Sequence, residues 1–180
     1  MTTNKIAKHN HSARLTPKSH TAPISVPVDK KKIRREENEE YLKNENVKAF
    51  LAMTGKSEGG DYHAKFGWLK NKPDWVFTDE STHPGAGNGG KTTAAGLYQI
   101  NNACWTEHGI KSQGLSDFSP HTQDMISVDN LRAYHSIQFI IDGDIKSAIN
   151  KLKENQWTSF KTHKYEVLEG WYEEAGGKVK

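Results

Sequence analysis

One cysteine, Cys104, occurs in 180 residues, so the chain forms no internal disulfide and no cysteine zinc cluster. No apolar run approaches the ~20 residues that a membrane-spanning helix needs. The opening Met1-Thr2-Thr3-Asn4-Lys5 leads into no apolar stretch of the kind that marks a secretory signal. Hydrophobic residues are scarce at 34%, and mean hydropathy is −0.84. Part of the chain is therefore expected to lie outside any packed core. No Gly-x-Ser-x-Gly elbow, phosphate-binding glycine loop or His-Glu-x-x-His motif occurs. These absences exclude a membrane protein, a disulfide scaffold and a zinc finger. The length suits one domain with an appendage.

The net charge of +3 is unevenly spread. Residues 1–28 carry Lys5, Lys8, Arg14 and Lys18 with no acid, while residues 29–46 hold six basic and six acidic side chains. Residues 47–180 hold 15 basic against 16 acidic. The first segment, with Pro17, Pro23 and Pro27 and few large apolar groups, is expected to be a disordered basic leader. His9-Asn10-His11 within it lacks the ordered support a metal site requires. Residues 29–46 read as a solvated, charged helical connector without an apolar stripe. Residues 47–180 read as the functional domain. The basicity sits in the leader, so a nucleic-acid-binding reading has nothing in the body to rest on.

Within the body, Val47, Phe50, Leu51 and Thr54 recur at helical spacing, and Gly59-Gly60 end that helix. Residues 61–93 are rich in turn formers around a short β-type run, Trp75-Val76-Phe77-Thr78. His83 to Gly90 reads as a mobile, glycine-rich loop. Residues 94–105 lead into a helix. Ser119-Pro120 are an N-cap and first position for a helix over about 121–141. Asp142-Gly143-Asp144 separates it from the Ile145, Ala148, Ile149, Leu152 stripe, and a last helix covers about 163–175. This pattern predicts an α+β fold, mainly helical with a small β patch.

Glu58 stands out. It lies 11 positions after Val47 and seven after Leu51, so it shares the apolar face of the first body helix. It also sits at that helix's negative C-terminal end. Burial and the dipole both disfavour a carboxylate there, as a general acid working near neutral pH requires. Glutamates at frayed helix ends also commonly reach solvent. Tyr62, Trp68, Trp75, Phe77, Tyr98, Trp105 and Trp157 fall in or near irregular segments. Aromatic faces beside polar loops suit sugar rings, and Trp75 is one candidate for such a contact. Alternatively, Trp68 and Trp75 fill the small β region. The six body histidines show no metal-ligand spacing, and Cys104 reads as a buried small hydrophobe.

Several stretches of the body carry a resemblance. They are Ala49-Phe50-Leu51-Ala52-Met53 with Ser57-Glu58-Gly59, then Phe77-Thr78-Asp79 with His83-Pro84, and Ala95-Gly96-Leu97-Tyr98-Gln99-Ile100. After these come Leu115-Ser116-Asp117-Phe118-Ser119-Pro120 with Gln123-Asp124, Gly143-Asp144-Ile145, Trp157, and Glu174-Ala175-Gly176-Gly177. In order and spacing, residues 47–180 resemble the phage lambda endolysin family of lysozyme-like lytic transglycosylases. The resemblance implies a lysozyme-like fold with a cleft between a small β lobe and a helical lobe. It implies that Glu58 is the catalytic acid and base. Tyr98 and Gln99 carry over as glycan contacts, and Trp157 as a cleft-edge residue. The loop from His83 to Lys91 and the segment Thr158-Ser159-Phe160-Lys161 depart from the family pattern.

Hydrolytic glycosidases use two carboxylates flanking the bond. The other common phage lysozyme class has an aspartate nine residues after its glutamate; here that position is Gly67. Asp61 and Asp79 remain as possible second acids, with nothing in the spacing to favour either. The expected activity is cleavage of the MurNAc-β-1,4-GlcNAc bond of peptidoglycan by lytic transglycosylation, giving 1,6-anhydro-MurNAc ends. The alternatives are a hydrolytic muramidase on the same bond and a non-catalytic glycan-binding module. The resemblance further implies no cofactor and no metal, peptidoglycan strands as partner and a monomer without stable membrane insertion. It also implies accumulation in the cytoplasm of a bacterial host, with release to the wall at lysis through a separate membrane-permeabilising protein.

Overall fold

A computed structural model describes residues 27–180. The expected leader, His9-Asn10-His11 included, falls outside the described residues except for its last two positions.

Helix α2 (Glu45–Glu58) is the axis of the molecule. It starts where the Asn44 carboxamide accepts from the amides of Asn46 and Val47, at 2.9 and 3.2 Å. Val47, Ala49, Phe50 and Met53 are fully buried along it. Each large apolar side chain buried this way contributes roughly 1.5–3 kcal/mol. Against α2 pack α5 (Ile137–Ile141) and α7 (Tyr165–Glu174), and α6 (Ile145–Leu152) packs on α5, with Phe160 meeting Phe50 edge-on at 6.0 Å. Asp144 caps α6 by accepting from the Ser147 amide at 3.1 Å.

Between α2 and the next helix lies the β lobe. Among the described residues its β pairing consists of three isolated bridges, Ala64 to Val76, Lys65 to Ala95 and Ala95 to Ile100. The β-type run at 75–78 does not extend into a strand. Pro73–Trp75 form a 3₁₀ turn, and Val76 alone pairs. A short helix α3 (Asn102–Cys104) continues as π-helix over Trp105–Lys111.

Helix α4 (Pro120–Ala133) opens on the Ser119 cap with Pro120 at its first position. It does not run on to 141 as the periodicity predicts. His135 adopts φ +53, and the Ser136 amide and hydroxyl both donate to the Leu131 carbonyl at 2.9 Å. This closes α4 with a left-handed residue that carries no glycine signal. The loop from His83 is anchored. Burial keeps His83 neutral by pushing its pKa down. Its Nδ1 accepts from the Gly85 amide, so its Nε2 donates to the Ile100 carbonyl at 2.9 Å.

Helix α1 (Lys30–Leu42) is docked on α4 rather than freely solvated. Asn38, fully buried, donates to Gln113 Oε1 at 2.8 Å and to Asp129 Oδ1 at 3.1 Å. Arg34 also reaches Asp129, His108 Nδ1 lies 2.9 Å from Asp129 Oδ2, and Arg132 donates to Asn38 Oδ1 at 2.6 Å. Polar pairing across the interface does here what an apolar stripe does elsewhere, which is why periodicity missed it.

Burial alone would raise the Asp129 pKa, but the bonds from His108, Asn38 and Arg34 outweigh burial and hold it at about 2 against an ordinary 3.8. A depressed carboxyl stabilises the fold above the unfolded-state value, and that contribution disappears as pH falls through the folded-state value. Asp129→Asn is therefore expected to lower stability at pH 7 by roughly 2 kcal/mol, with most of the difference from wild type gone near pH 2. Urea melts at the two pH values measure it.

Candidate active site

Glu58 is the last residue of α2, and Gly59 follows in the left-handed region at φ +61. The chain then turns so tightly that a Cβ on Gly60 would lie 2.4 Å from the Leu97 carbonyl oxygen. This turn sets the carboxyl at the mouth of a cleft of about 530 Å³. The floor is Ala94, Tyr98 and Gln99; one lip is the run from Phe66 to Lys70 with Asn88; the other is Gln156, Trp157 and Thr158. Glu58 is the only carboxylate among these lining residues. Asp61 and Asp79 do not line the cleft: both are exposed and accept from loop amides, of His63 and Ser81 respectively, at 2.9 Å.

Burial pushes the Glu58 pKa up, partly opposed by a hydrogen bond from Ser159 and by the charge of His163. The Ser159 hydroxyl donates to Glu58 Oε1 at 2.6 Å and lies 2.8 Å from the Ser57 hydroxyl. The structure thus places on Glu58 a side chain 101 positions away. No local pattern points to Ser159.

The floor residues have distinct roles. Tyr98 is 3% exposed and its phenol donates to Asp124 Oδ1 at 2.6 Å, joined there by Tyr62 at 2.8 Å. Its hydroxyl therefore faces α4, not the cleft. Gln99 is half-buried on the floor at φ +50, a conformation that costs about 1–3 kcal/mol and tends to persist where function requires it. Its amide nitrogen donates to the Gly96 carbonyl at 3.0 Å. Trp157 is 2% exposed, and its ring N–H donates to the Tyr98 carbonyl at 3.3 Å, so it joins floor to lip. Trp75 does not line the cleft. It stands behind the lip, against Gly67, with its carbonyl accepting from the Lys65 amide at 2.8 Å, and so fills the β lobe. Trp68 lines the lip, with the Lys72 ammonium 4.5 Å from its ring. Beside it Phe66 and Leu69 are 46% and 68% exposed. Such a lip, apolar beside polar groups, matches a ligand with an apolar face and hydroxyl edges. Cys104 has its thiol pushed up to about 11, first by burial, which leaves it a poor nucleophile.

The comparisons with known proteins agree with one another. Residues 48–179 match the family described as Endolysin. The endolysin of Escherichia phage lambda is 33% identical over 152 residues, spanning 76% of this chain and 95% of the lambda protein. That of Escherichia phage P2 is 33% identical over 159 residues, spanning 74% and 94%. Among solved structures, bacteriophage lambda lysozyme complexed with a chitohexasaccharide superposes with a TM-score of 0.63 at 32% identity, covering 76% of this chain and 97% of that one. Another structure of lysozyme from bacteriophage lambda gives 0.64 at 31% identity, with the same coverage. The chain belongs to the endolysin family, and its fold is lysozyme-like.

The cleft floor depends on Gly96, at φ +74, where a Cβ would lie 2.0 Å from Gln123 Oε1. Gly96→Ala is expected to cost about 2–4 kcal/mol by combining backbone strain with the loss of the Gln123 contact. Thermal or urea unfolding measures it.

Proposed function

We propose that this endolysin-family chain is a peptidoglycan-degrading enzyme that cuts the β-1,4 bond between N-acetylmuramic acid and N-acetylglucosamine by lytic transglycosylation. The carrying observation is the lone carboxyl: among the described residues Glu58 lines the cleft with no second acid, and burial favours its protonated form. Glu58 protonates the glycosidic oxygen of the departing N-acetylglucosamine as the bond to the muramic anomeric carbon breaks. The carboxylate so formed takes the proton from the muramic 6-hydroxyl while that oxygen bonds to the anomeric carbon. The 1,6-anhydro ring closes, Glu58 regains its proton, and water is not consumed. An internal hydroxyl held in place has a high effective molarity, which substitutes for a second carboxylate activating water.

The sugar oligomer bound by the lambda lysozyme supports a glycan strand as occupant of the equivalent groove here. Gln99, facing the cleft, supplies a polar contact, and Trp157 and the body of Tyr98 shape the floor. The chain acts as a monomer on peptidoglycan strands. No helix among the described residues is long and apolar enough to cross a membrane. On this reading the enzyme is made in a bacterial host and reaches the wall at lysis through a separate permeabilising protein.

Glu58→Gln is expected to cut lysis of purified cell walls by roughly 10³-fold. A raised carboxyl pKa means that ionisation opposes folding at neutral pH. The amide variant should therefore melt no lower than wild type at pH 7, and equally below the ordinary value of 4.5, where both states are protonated. Near wild-type lysis would remove Glu58 from the role. Mass spectrometry of the products should show species one water lighter than hydrolysis gives; reducing-end muramic acid as the main product would make the enzyme a muramidase.

A further inference from the structure

We infer that Ser159 is a positioning residue that directs the acidic proton of Glu58 into the cleft, with Ser57 setting the direction of the Ser159 hydroxyl. The inference rests on the reading of Glu58 as the acid. Its basis is the row of three side chains Ser57, Ser159 and Glu58, linked at 2.8 and 2.6 Å. Ser57 is 8% exposed, and its hydroxyl has no other hydrogen-bond partner among the described residues.

The donor inventory makes this row one-way. An ionised carboxylate only accepts, so Ser159 must give its single proton to Glu58 Oε1. The Ser159 oxygen then accepts from Ser57. The reverse order would require the acidic proton on Oε1, donated to Ser159, with Ser159 donating to Ser57. The Ser57 proton would then face a nearly dry wall without an acceptor, and a buried donor left unsatisfied is costly. With Oε1 held as an acceptor, the acidic proton belongs on Oε2. Glu58 Oε2 makes no hydrogen bond to a described residue and is not shut off as a buried orphan, so it opens to the cleft. A glutamate side chain without such a partner would present either oxygen, and a proton on the wrong one cannot reach the glycosidic bond. Ser159 also favours the carboxylate that forms after proton transfer.

Among the described residues, other charges around Glu58 are few. His163 is the one whose field acts on it; Lys65 and Lys70 line the cleft; Lys56 on α2 is paired with Glu174 at 2.8 Å. Ser159 reaches the carboxyl because Trp157 and Phe160, 2% exposed each, fix the segment on either side of it in the core.

The test follows the Glu58 carboxyl by carbon-13 NMR in glutamate-labelled full-length protein, its signal assigned by loss in Glu58→Gln. Ser159→Ala should move its titration to higher pH, Ser57→Ala should move it less in the same direction, and Ser159→Thr should restore it. On purified peptidoglycan, kcat should fall roughly tenfold for Ser159→Ala and about threefold for Ser57→Ala, with KM unchanged. The alkaline limb of the pH profile should shift as the carboxyl does. An unmoved titration in Ser159→Ala, or Ser159→Thr as impaired as Ser159→Ala, would overturn the inference, since the first removes the coupling and the second leaves only space-filling. Full activity in Glu58→Gln would remove the acid role itself, while the titration arm still decides whether Ser159 governs that carboxyl.

Discussion

The cleft depends on one buried amide. Gln123, on α4, is fully buried. Its oxygen accepts from the Leu97 amide at 3.0 Å, and its nitrogen donates to the carbonyls of Tyr62 at 2.9 Å and Phe118 at 3.0 Å. The three partners belong to the turn after α2, the cleft floor and the approach to α4. Beside it Asp124 gathers the phenols of Tyr62 and Tyr98 on one oxygen. Two consecutive residues of one helix thus pin the β lobe and the floor to the helical body. A buried polar group left without partners would cost about 1–3 kcal/mol, so the network forms whole or penalises its own opening. Short bridges suffice for the β lobe because this clamp, rather than a sheet, holds it.

The same low-dielectric setting governs the two half-buried carboxyls near the floor, with different outcomes. Asp124 is pushed up by burial and pulled back by the two phenols that donate to it. Those phenols are held in the protonated form, Tyr62 being pushed up to about 12 by burial and by Asp124 itself. Its bonded oxygen is thereby engaged in structure. Glu58 is also pushed up by burial, but its one protein donor, Ser159, occupies a single oxygen. The difference is one of place and partners: two phenols from separate segments meet on Asp124 and tie the chain together, whereas Glu58 lines the cleft and accepts from Ser159 alone.

Much of this was legible in the sequence where chemistry is local. The Ser119-Pro120 start, the Asp144 cap and the Gly59 stop are short-range hydrogen-bonding and backbone rules, and they placed those helix ends correctly. The half-buried position of Glu58 was legible because a carboxylate on an apolar helical face breaks the pattern. His135 was illegible, since a non-glycine residue in the left-handed region is imposed by the Ser136 bonds to Leu131 and not by its own type. Trp75 looked like a sugar platform by composition, yet only tertiary packing decides which side of a lip a ring occupies. Ser159 and the docking of α1 are long-range polar contacts, 101 and about 90 positions apart in sequence, and hydrophobic periodicity is blind to them.

The docking of α1 has a consequence for the domain it sits on. Helix α1 precedes the span that matches the family, and it is held chiefly by hydrogen-bonded and charged groups around Asp129. Contacts of this kind give little net affinity after desolvation, but they strongly select one register, because any slip strands a charge. Asp129 lies on the same helix as Gln123 and Asp124, five residues beyond the latter, or about 7.5 Å along the axis. The helix that clamps the cleft floor on one side therefore receives α1 on another. The other face of that helix bonds Tyr62, Leu97 and Tyr98 through Gln123 and Asp124. The charged segment, which reads as a mere connector by composition, is hydrogen-bonded to the helix that holds the cleft floor.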